Sequence, residues 1–303
     1  MSGETDWMEG GGKGGGMFAG GGAMAAFPAT ELGLQEGIDG DFGALLRRRG
    51  TQGWGHCGSL GAVEGGGGVT RRGGDLGWAP TEATTILAFK FSGGVLVAGD
   101  RRATAGNLVV YDRADKVLQI DGDSLMAIAG VPATAWEMAR MLAHSFQFYR
   151  RTQLQELSLE GKVRALSKLL RDNLGFVLQG VGMVVPLFAT YDHLAGVPRL
   201  YFYDPMGAQF EAAEYAASGS GAGAVRSVLH YVKTWGGGIR EMGRGDAVVL
   251  ALRALETAAE NDTATGGVDR RGSVYPLVKI IGESGVQTLS ERELAEVFEQ
   301  QRI

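Results

Sequence analysis

The sequence predicts an α+β fold: two β-sheets packed face to face with helices outside them, a four-layer αββα sandwich. Three observations carry that expectation. Two β-rich hairpins follow residue 83, a pair of helical periods interrupts them, and strands then return ahead of further helices. In order, residues 85–91 alternate and are rich in β-formers, and Ser92-Gly93-Gly94 turns the chain into a strand over 95–100. A second hairpin runs over 116–120 and 125–129, turning at Asp121-Gly122-Asp123. Trp136, Ala139, Leu142, Phe146 and Tyr149 recur at helical spacing and predict a helix over 133–151. A second helix is expected over 158–178, with Ser158 as its cap and Glu160 in its first turn. Strands follow at 183–191, 199–203 and 209–214, helices at 222–235 and 246–261, strands at 274–281 and 285–288, and a last helix at 291–301.

Composition divides the chain in two. Residues 1–83 hold 26 of the 51 glycines, in runs such as Gly10-Gly11-Gly12. Glycine loses the most backbone freedom on folding and buries no side chain, so this leader is expected to be largely disordered, with at most a helical turn over 42–49. Residues 84–303 are apolar enough for one sizeable core. The leader lacks the charged start and apolar stretch of a secretory signal, and no segment reaches the roughly 18 apolar residues of a membrane span. Cys57 is the single cysteine, so a Cys nucleophile or an intrachain disulfide in the core is excluded. His56-Cys57 offers too few ligands for a metal reading, and His144 and His230 read as helix-surface residues. A net charge of −5 and sparse interleaving of arginine with aromatic residues argue against nucleic acid. The expectation is a cytoplasmic protein with no cofactor, no metal, no nucleic acid and no membrane partner.

The chemistry centres on Thr84. A threonine hydroxyl is a weak nucleophile without an adjacent base, and one available base is the residue's own α-amine. That amine exists only if the bond between Ala83 and Thr84 is cut, so the chain reads as a precursor that loses residues 1–83. Asp100 lies sixteen residues after Thr84, and Lys116 sixteen after Asp100. If the first hairpin turns at Gly93, pairing partners sum to about 186, which places Thr84 near Arg102 with Asp100 two residues away on the same face. If the second turns at Gly122 and Asp123, partners sum to about 245, and Lys116 lies opposite Ala129 beside Gly130. Joining these hairpin ends would gather a nucleophile, an acid, a cation and a free backbone N–H. An α-amine of pKa about 7.7–8.0 can take the hydroxyl proton. Lys116 would favour the alkoxide, Asp100 would orient Lys116, and the Gly130 N–H would face the developing oxyanion.

These stretches, in this order and spacing, resemble the β-type subunits of the proteasome, above all the actinobacterial type, within the N-terminal-nucleophile (Ntn) hydrolases. The resemblance rests on Thr84-Thr85-Ile86-Leu87-Ala88-Phe89-Lys90-Phe91, Gly99-Asp100-Arg101-Arg102-Ala103-Thr104-Ala105-Gly106, Lys116-Val117, Ala129-Gly130, Gly219-Ser220-Gly221 and Asp262-Thr263-Ala264-Thr265-Gly266-Gly267. It covers residue 84 to about residue 300 and implies the Ntn hydrolase fold. The resemblance implies Thr84 as nucleophile, Asp100 and Lys116 as its activating pair, and Gly130 as oxyanion donor. Ser220, Asp262 and Thr265 would then support the terminal amine and a nearby water. Thr104 and Gly106 would hold the substrate peptide as an added strand. Ala103, Ala114, Leu118, Ile128 and Pro132 match the family's specificity-pocket positions, and all five are uncharged, which implies apolar side chains before the cut. Implied partners are further copies in heptameric rings, proteasome α-type subunits, an ATPase ring that delivers substrate, and unfolded polypeptide.

Two departures stand out. Ala83 occupies the position where the family usually has glycine, and its Cβ is expected to slow the tight turn that self-cleavage requires. Ser218-Gly219-Ser220-Gly221 offers two serines for one role; Ser220 is favoured because it keeps serine between two glycines, and Ser218 stays open. Two rival readings are a subunit of the related bacterial two-component peptidase, which lacks α subunits, and a non-catalytic ring subunit of the same fold.

Overall fold

The computed structural model describes residues 84–105, 108–269 and 274–301. The expected propeptide (1–83), its helical turn, Ala83, His56, Cys57 and Gly106 lie outside the described residues. Strand β1 (Thr85–Phe91) turns through Ser92-Gly93 into β2 (Gly94–Gly99). The short β3 (Ala103–Ala105) and β4 (Leu108–Tyr111) form a separate two-stranded ribbon. The second hairpin is β5 (Val117–Asp121) and β6 (Ser124–Ala127), followed by α1 (Pro132–Gln153), α2 (Leu159–Asp172) and the short α3 (Leu174–Leu178). Then come β7 (Leu187–Asp192), β8 (Val197–Tyr203), β9 (Gln209–Glu211), β10 (Tyr215–Gly219), α4 (Ala222–Trp235), α5 (Arg244–Asn261), β11 (Leu277–Gly282), β12 (Gly285–Thr288) and α6 (Glu291–Gln301). One five-stranded antiparallel sheet has the order β10-β1-β2-β11-β12 and the other β5-β6-β7-β8-β9.

Strand alternation sorts the core. Ile86 and Ala88 of β1, with Val95 and Val97 of β2, join Val117, Leu125, Leu187 and Leu200 of the second sheet in one buried cluster. Leu87, Phe89 and Phe91 point the opposite way and pack with Val225 and Leu229 of α4 and Ala251 and Leu255 of α5. A third cluster joins Met126 and Phe188 to Leu142 and Phe146 of α1 and Leu166 and Leu170 of α2. The odd–even rule sends Thr84 toward the inter-sheet side and Thr85 toward the helices.

Several expectations need correction. The first turn is centred between Ser92 and Gly93, so Ile86 pairs with Gly99 and partners sum to 185; Asp100 therefore stands opposite Thr85 rather than two residues from Thr84's partner. In the second hairpin a register shift at Ile120 makes Val117 pair with Ala127, and the Ile128 N–H donates to Lys116 O at 2.9 Å, so Lys116 faces Ile128, not Ala129. The helix expected over 158–178 breaks at Asn173, whose side-chain amide donates to Gly182 O at 2.6 Å and ties the break to the loop that follows α3. Ser158 does cap α2, accepting the Gly161 N–H at 3.2 Å, and Glu160 lies in its first turn. On α1 the buried stripe is Ala135, Met138, Ala139, Leu142 and Phe146, which leaves Trp136 exposed and Tyr149 at the edge. Pro186 and Pro276 delay β7 and β11 relative to the expected starts, because neither supplies a ladder donor. The strand expected over 209–214 ends at Glu211; the chain then crosses to the other sheet and forms β10, which the alanine-rich run hid.

Candidate active site

The site lies where β1 begins, at the open end of the first hairpin. Asp100 is fully buried and accepts four hydrogen bonds. Its Oδ1 takes the Thr85 N–H at 2.8 Å and the Lys116 ammonium at 2.7 Å; its Oδ2 takes the Arg102 N–H at 3.0 Å and the Gly266 N–H at 2.9 Å. Only glycine suits position 266, since a Cβ there would stand 2.8 Å from the Arg102 Cβ. Lys116 reaches Asp100 from the other sheet and also donates to the Arg102 carbonyl. Burial pushes the Lys116 ammonium below the ordinary lysine value, while Asp100 opposes that shift. Removing one member of such a buried pair generally costs about 3–5 kcal/mol unless other groups compensate the survivor.

A second group closes over Thr84 from the helix side. The Ser220 N–H donates to Thr84 O at 2.9 Å, and the Ser220 hydroxyl donates to Asp262 Oδ2 at 2.6 Å. Thr265 Oγ1 donates to the same carboxylate oxygen at 2.6 Å. Asp262 follows the last turn of α5, which delivers it here. Burial alone would raise the Asp262 carboxyl, but the hydrogen bonds from Ser220, Thr265 and the Ala264 N–H, with the Arg102 charge, hold it below the usual carboxylate value. Ser218 points elsewhere, its hydroxyl donating to Val185 O at 2.9 Å, so the structure brings Ser220 and not Ser218 to Asp262. Gly219 between them has φ +95°, and a Cβ on it would lie 1.8 Å from Thr84 O.

Gly130 also requires glycine: its φ is +107°, and a Cβ would meet Met183 O at 2.1 Å. The flanking Ala129 and Val131 bond to Val185 and Met183, so the Gly130 N–H projects to the other side of its strand. That is the side on which the Ile128 N–H reaches Lys116 O. The expected substrate residues are less gathered. Ala103 and Thr104 sit on β3, buried, beside the fully exposed β4. Ala114 is buried with its N–H on Arg101 O at 2.9 Å. Ile128 is buried in the cluster beneath α1 and α2; Leu118 packs against it, and Pro132 starts α1, each partly exposed.

Thr85, Arg102, Gly221 and Gly266 belong to the site but carry no assigned role in the sequence reading. All four donate backbone N–H groups, which residue identity does not announce: Thr85, Arg102 and Gly266 to Asp100, and Gly221 to Thr85 Oγ1. Arg102 also ties the two groups together, donating to Thr263 O at 2.9 Å and Thr265 O at 3.1 Å. Among the described residues no group of three or more His, Cys, Asp or Glu side chains is placed to hold a metal ion. No helix among them is long and apolar enough to cross a membrane.

Residues 81–272 match the family described as Proteasome subunit. The chain is 38% identical over 224 residues to the "Proteasome subunit beta" of Acidimicrobium ferrooxidans, covering 74% of this chain and 80% of that one. It is 39% identical over 216 residues to "Proteasome subunit beta 2" of Thermomonospora curvata, covering 71% and 75%. It is 36% identical over 214 residues to the "Proteasome subunit beta" of Streptomyces griseus subsp. griseus, covering 71% and 74%.

Proposed function

Because this chain belongs to the proteasome subunit family and is a β subunit within it, we propose that it is a catalytic one, a threonine-type endopeptidase that cuts unfolded polypeptides. The observation that carries this reading is the buried Lys116–Asp100 pair at 2.7 Å beside the start of β1. Alternation supports Thr84 over its neighbour: the Thr85 hydroxyl is committed to Thr265 and Gly221 on the helix side, and Thr85 is 0% exposed.

In the proposed mechanism, cleavage before Thr84 frees an α-amine that accepts the Thr84 hydroxyl proton as Oγ1 attacks the scissile carbonyl. The Lys116 charge favours the oxyanionic form of Oγ1, and the Gly130 N–H donates to the oxygen that becomes negative, a contribution of about 3–4 kcal/mol in comparable sites. The amine returns its proton to the leaving nitrogen, and water then cleaves the acyl ester. Ser220, Asp262 and Thr265 hold the amine and that water. The substrate runs alongside β3 as an added strand at Thr104 and Gly106, with Ala103, Ala114, Leu118, Ile128 and Pro132 shaping an apolar pocket. The three stacked apolar clusters support a four-layer αββα arrangement with the Ntn hydrolase fold. Residues 1–83 are the propeptide and residues 84–303 the catalytic domain. The particle consists of heptameric rings of this chain stacked on α-type rings, fed by an ATPase ring in the cytoplasm.

Purified chain co-assembled with its α partner is expected to begin at Thr84 by N-terminal sequencing. A mature start at Thr85, or a leader removed only by added protease, would exclude the scheme. A second expectation concerns Ala83. Self-cleavage bends residue 83 tightly over the site, where alanine costs about 1 kcal/mol or more relative to glycine, and about 1.4 kcal/mol is tenfold in rate. Ala83→Gly is therefore expected to mature about tenfold faster, with unchanged hydrolysis once the leader has gone; equal maturation rates would show an unstrained junction.

A further inference from the structure

The residue after the proposed nucleophile occupies an unusual position in the hydrogen-bond network. Thr85 Oγ1 lies 2.6 Å from Thr265 Oγ1 and accepts the Gly221 N–H at 2.9 Å. A hydroxyl has one proton to give. Thr265 gives its own to the Asp262 carboxylate at 2.6 Å, and a carboxylate can only accept. The proton between the two threonines must therefore come from Thr85. The chain runs one way: Gly221 N–H to Thr85 hydroxyl, Thr85 to Thr265, Thr265 to Asp262, with Ser220 donating to the same carboxylate from the other side.

We propose that Thr85 is a positioning residue whose hydroxyl, by donating to Thr265, fixes the direction of this chain and holds the Asp262–Ser220 pair against the carbonyl of Thr84. Three observations support the assignment. Thr85 also gives its backbone N–H to Asp100 at 2.8 Å, so one residue connects to both carboxylates of the site. The contact is fitted closely, since a Cβ on Gly221 would stand 2.5 Å from Thr85 Oγ1 and 2.7 Å from Thr265 Oγ1. Thr85 and Thr265 are each 0% exposed, so solvent is not at hand to replace a lost hydroxyl, and a buried donor left unmatched is costly. Ser220 in turn fixes Thr84 through its N–H, which makes the chain a brace on the residue that reacts. This inference rests on the reading of Thr84 as nucleophile.

The test separates the hydroxyl from the methyl group. Thr85→Val keeps the shape and the β-branch but removes the proton; Thr85→Ser keeps the proton and removes the methyl. In assembled particles, Thr85→Val is expected to lower kcat for a reporter peptide by up to about 100-fold, the scale of a misplaced reacting group. KM should stay within about twofold, because the substrate is held elsewhere, and leader removal should slow in parallel. Thr85→Ser should retain most of both activities. Wild-type kcat in the valine variant, or a serine variant as impaired as the valine one, would overturn the proposal in favour of packing alone. If the valine variant does not assemble, Thr85→Ala and Thr85→Ser, which differ only in the hydroxyl, are expected to split in the same way, and equal activity of those two would overturn it. The two readings fail separately. A Thr84→Ala particle that still hydrolyses peptide ends the nucleophile assignment, whereas wild-type-like Thr85→Val beside inactive Thr84→Ala ends this proposal alone.

Discussion

Thr84→Ala is expected to abolish both leader removal and peptide hydrolysis, because in the proposed mechanism a single hydroxyl performs both. The substitution leaves the β1 ladder unchanged, since Thr84 takes part through its carbonyl, which accepts the Ser220 N–H, and a backbone carbonyl survives the change. Rings of normal size and full-length subunits are the expected product. Thr84→Ser retains a hydroxyl in the same place and should keep part of each activity. Intact mass reads the first reaction and a peptide substrate the second. An alanine variant with unchanged turnover would remove the nucleophile from the scheme, whatever the rest of the site looks like.

Lys116→Ala should leave assembly nearly intact and lower turnover by about a thousandfold. A unit charge about 4 Å from a developing oxyanion is worth about 4 kcal/mol at an effective dielectric near 20, and each 1.36 kcal/mol is tenfold in rate. Assembly survives because Asp100 would still accept the N–H groups of Thr85, Arg102 and Gly266. The pH dependence has two signs. In the proposed mechanism the Lys116 charge disfavours protonation of the freed α-amine, so losing it should move the acid limb of kcat/KM to higher pH. In the wild type, burial lowers the Lys116 pKa, so its charge is lost on the alkaline side before the ordinary lysine value is reached. Rings that fail to form would indicate a structural role, and normal turnover in intact rings would end the proposal.

The elements set by strong periodicity were legible in the sequence. The hairpin of β1 and β2, the helices α4 and α6, and the Ser158 cap stand at or within a residue of where propensity and punctuation put them. Register was not legible. Whether a turn is centred on Gly93 or between Ser92 and Gly93 changes no composition, yet it decides which residue faces Asp100. The bulge at Ile120 is equally silent, because it follows from the packing of both strands rather than from one residue type. The ribbon of β3 and β4 was not legible although Leu108-Val109-Val110-Tyr111 is a β-forming run, because its strands are only three and four residues long and β4, exposed along its length, shows no alternation of buried and exposed positions. At the site, side chains with obvious chemistry were legible, and Asp100 and Lys116 do meet. The donors that surround them are backbone groups of Thr85, Arg102, Gly221 and Gly266, placed by loops whose paths no pattern encodes.

Lys116 stands just before β5 of one sheet, and Asp100 just after β2 of the other. Each residue of strand advances the chain by about 3.3 Å, so sliding one sheet over the other by a single step would break the 2.7 Å contact between them. A chain that collapsed with its sheets misaligned could be compact and well buried yet unable to release its own leader. On the proposed mechanism, self-processing is then a form of proofreading. The leader remains as a label on faulty copies, and its loss certifies that the two sheets have stacked in alignment before any foreign polypeptide is cut.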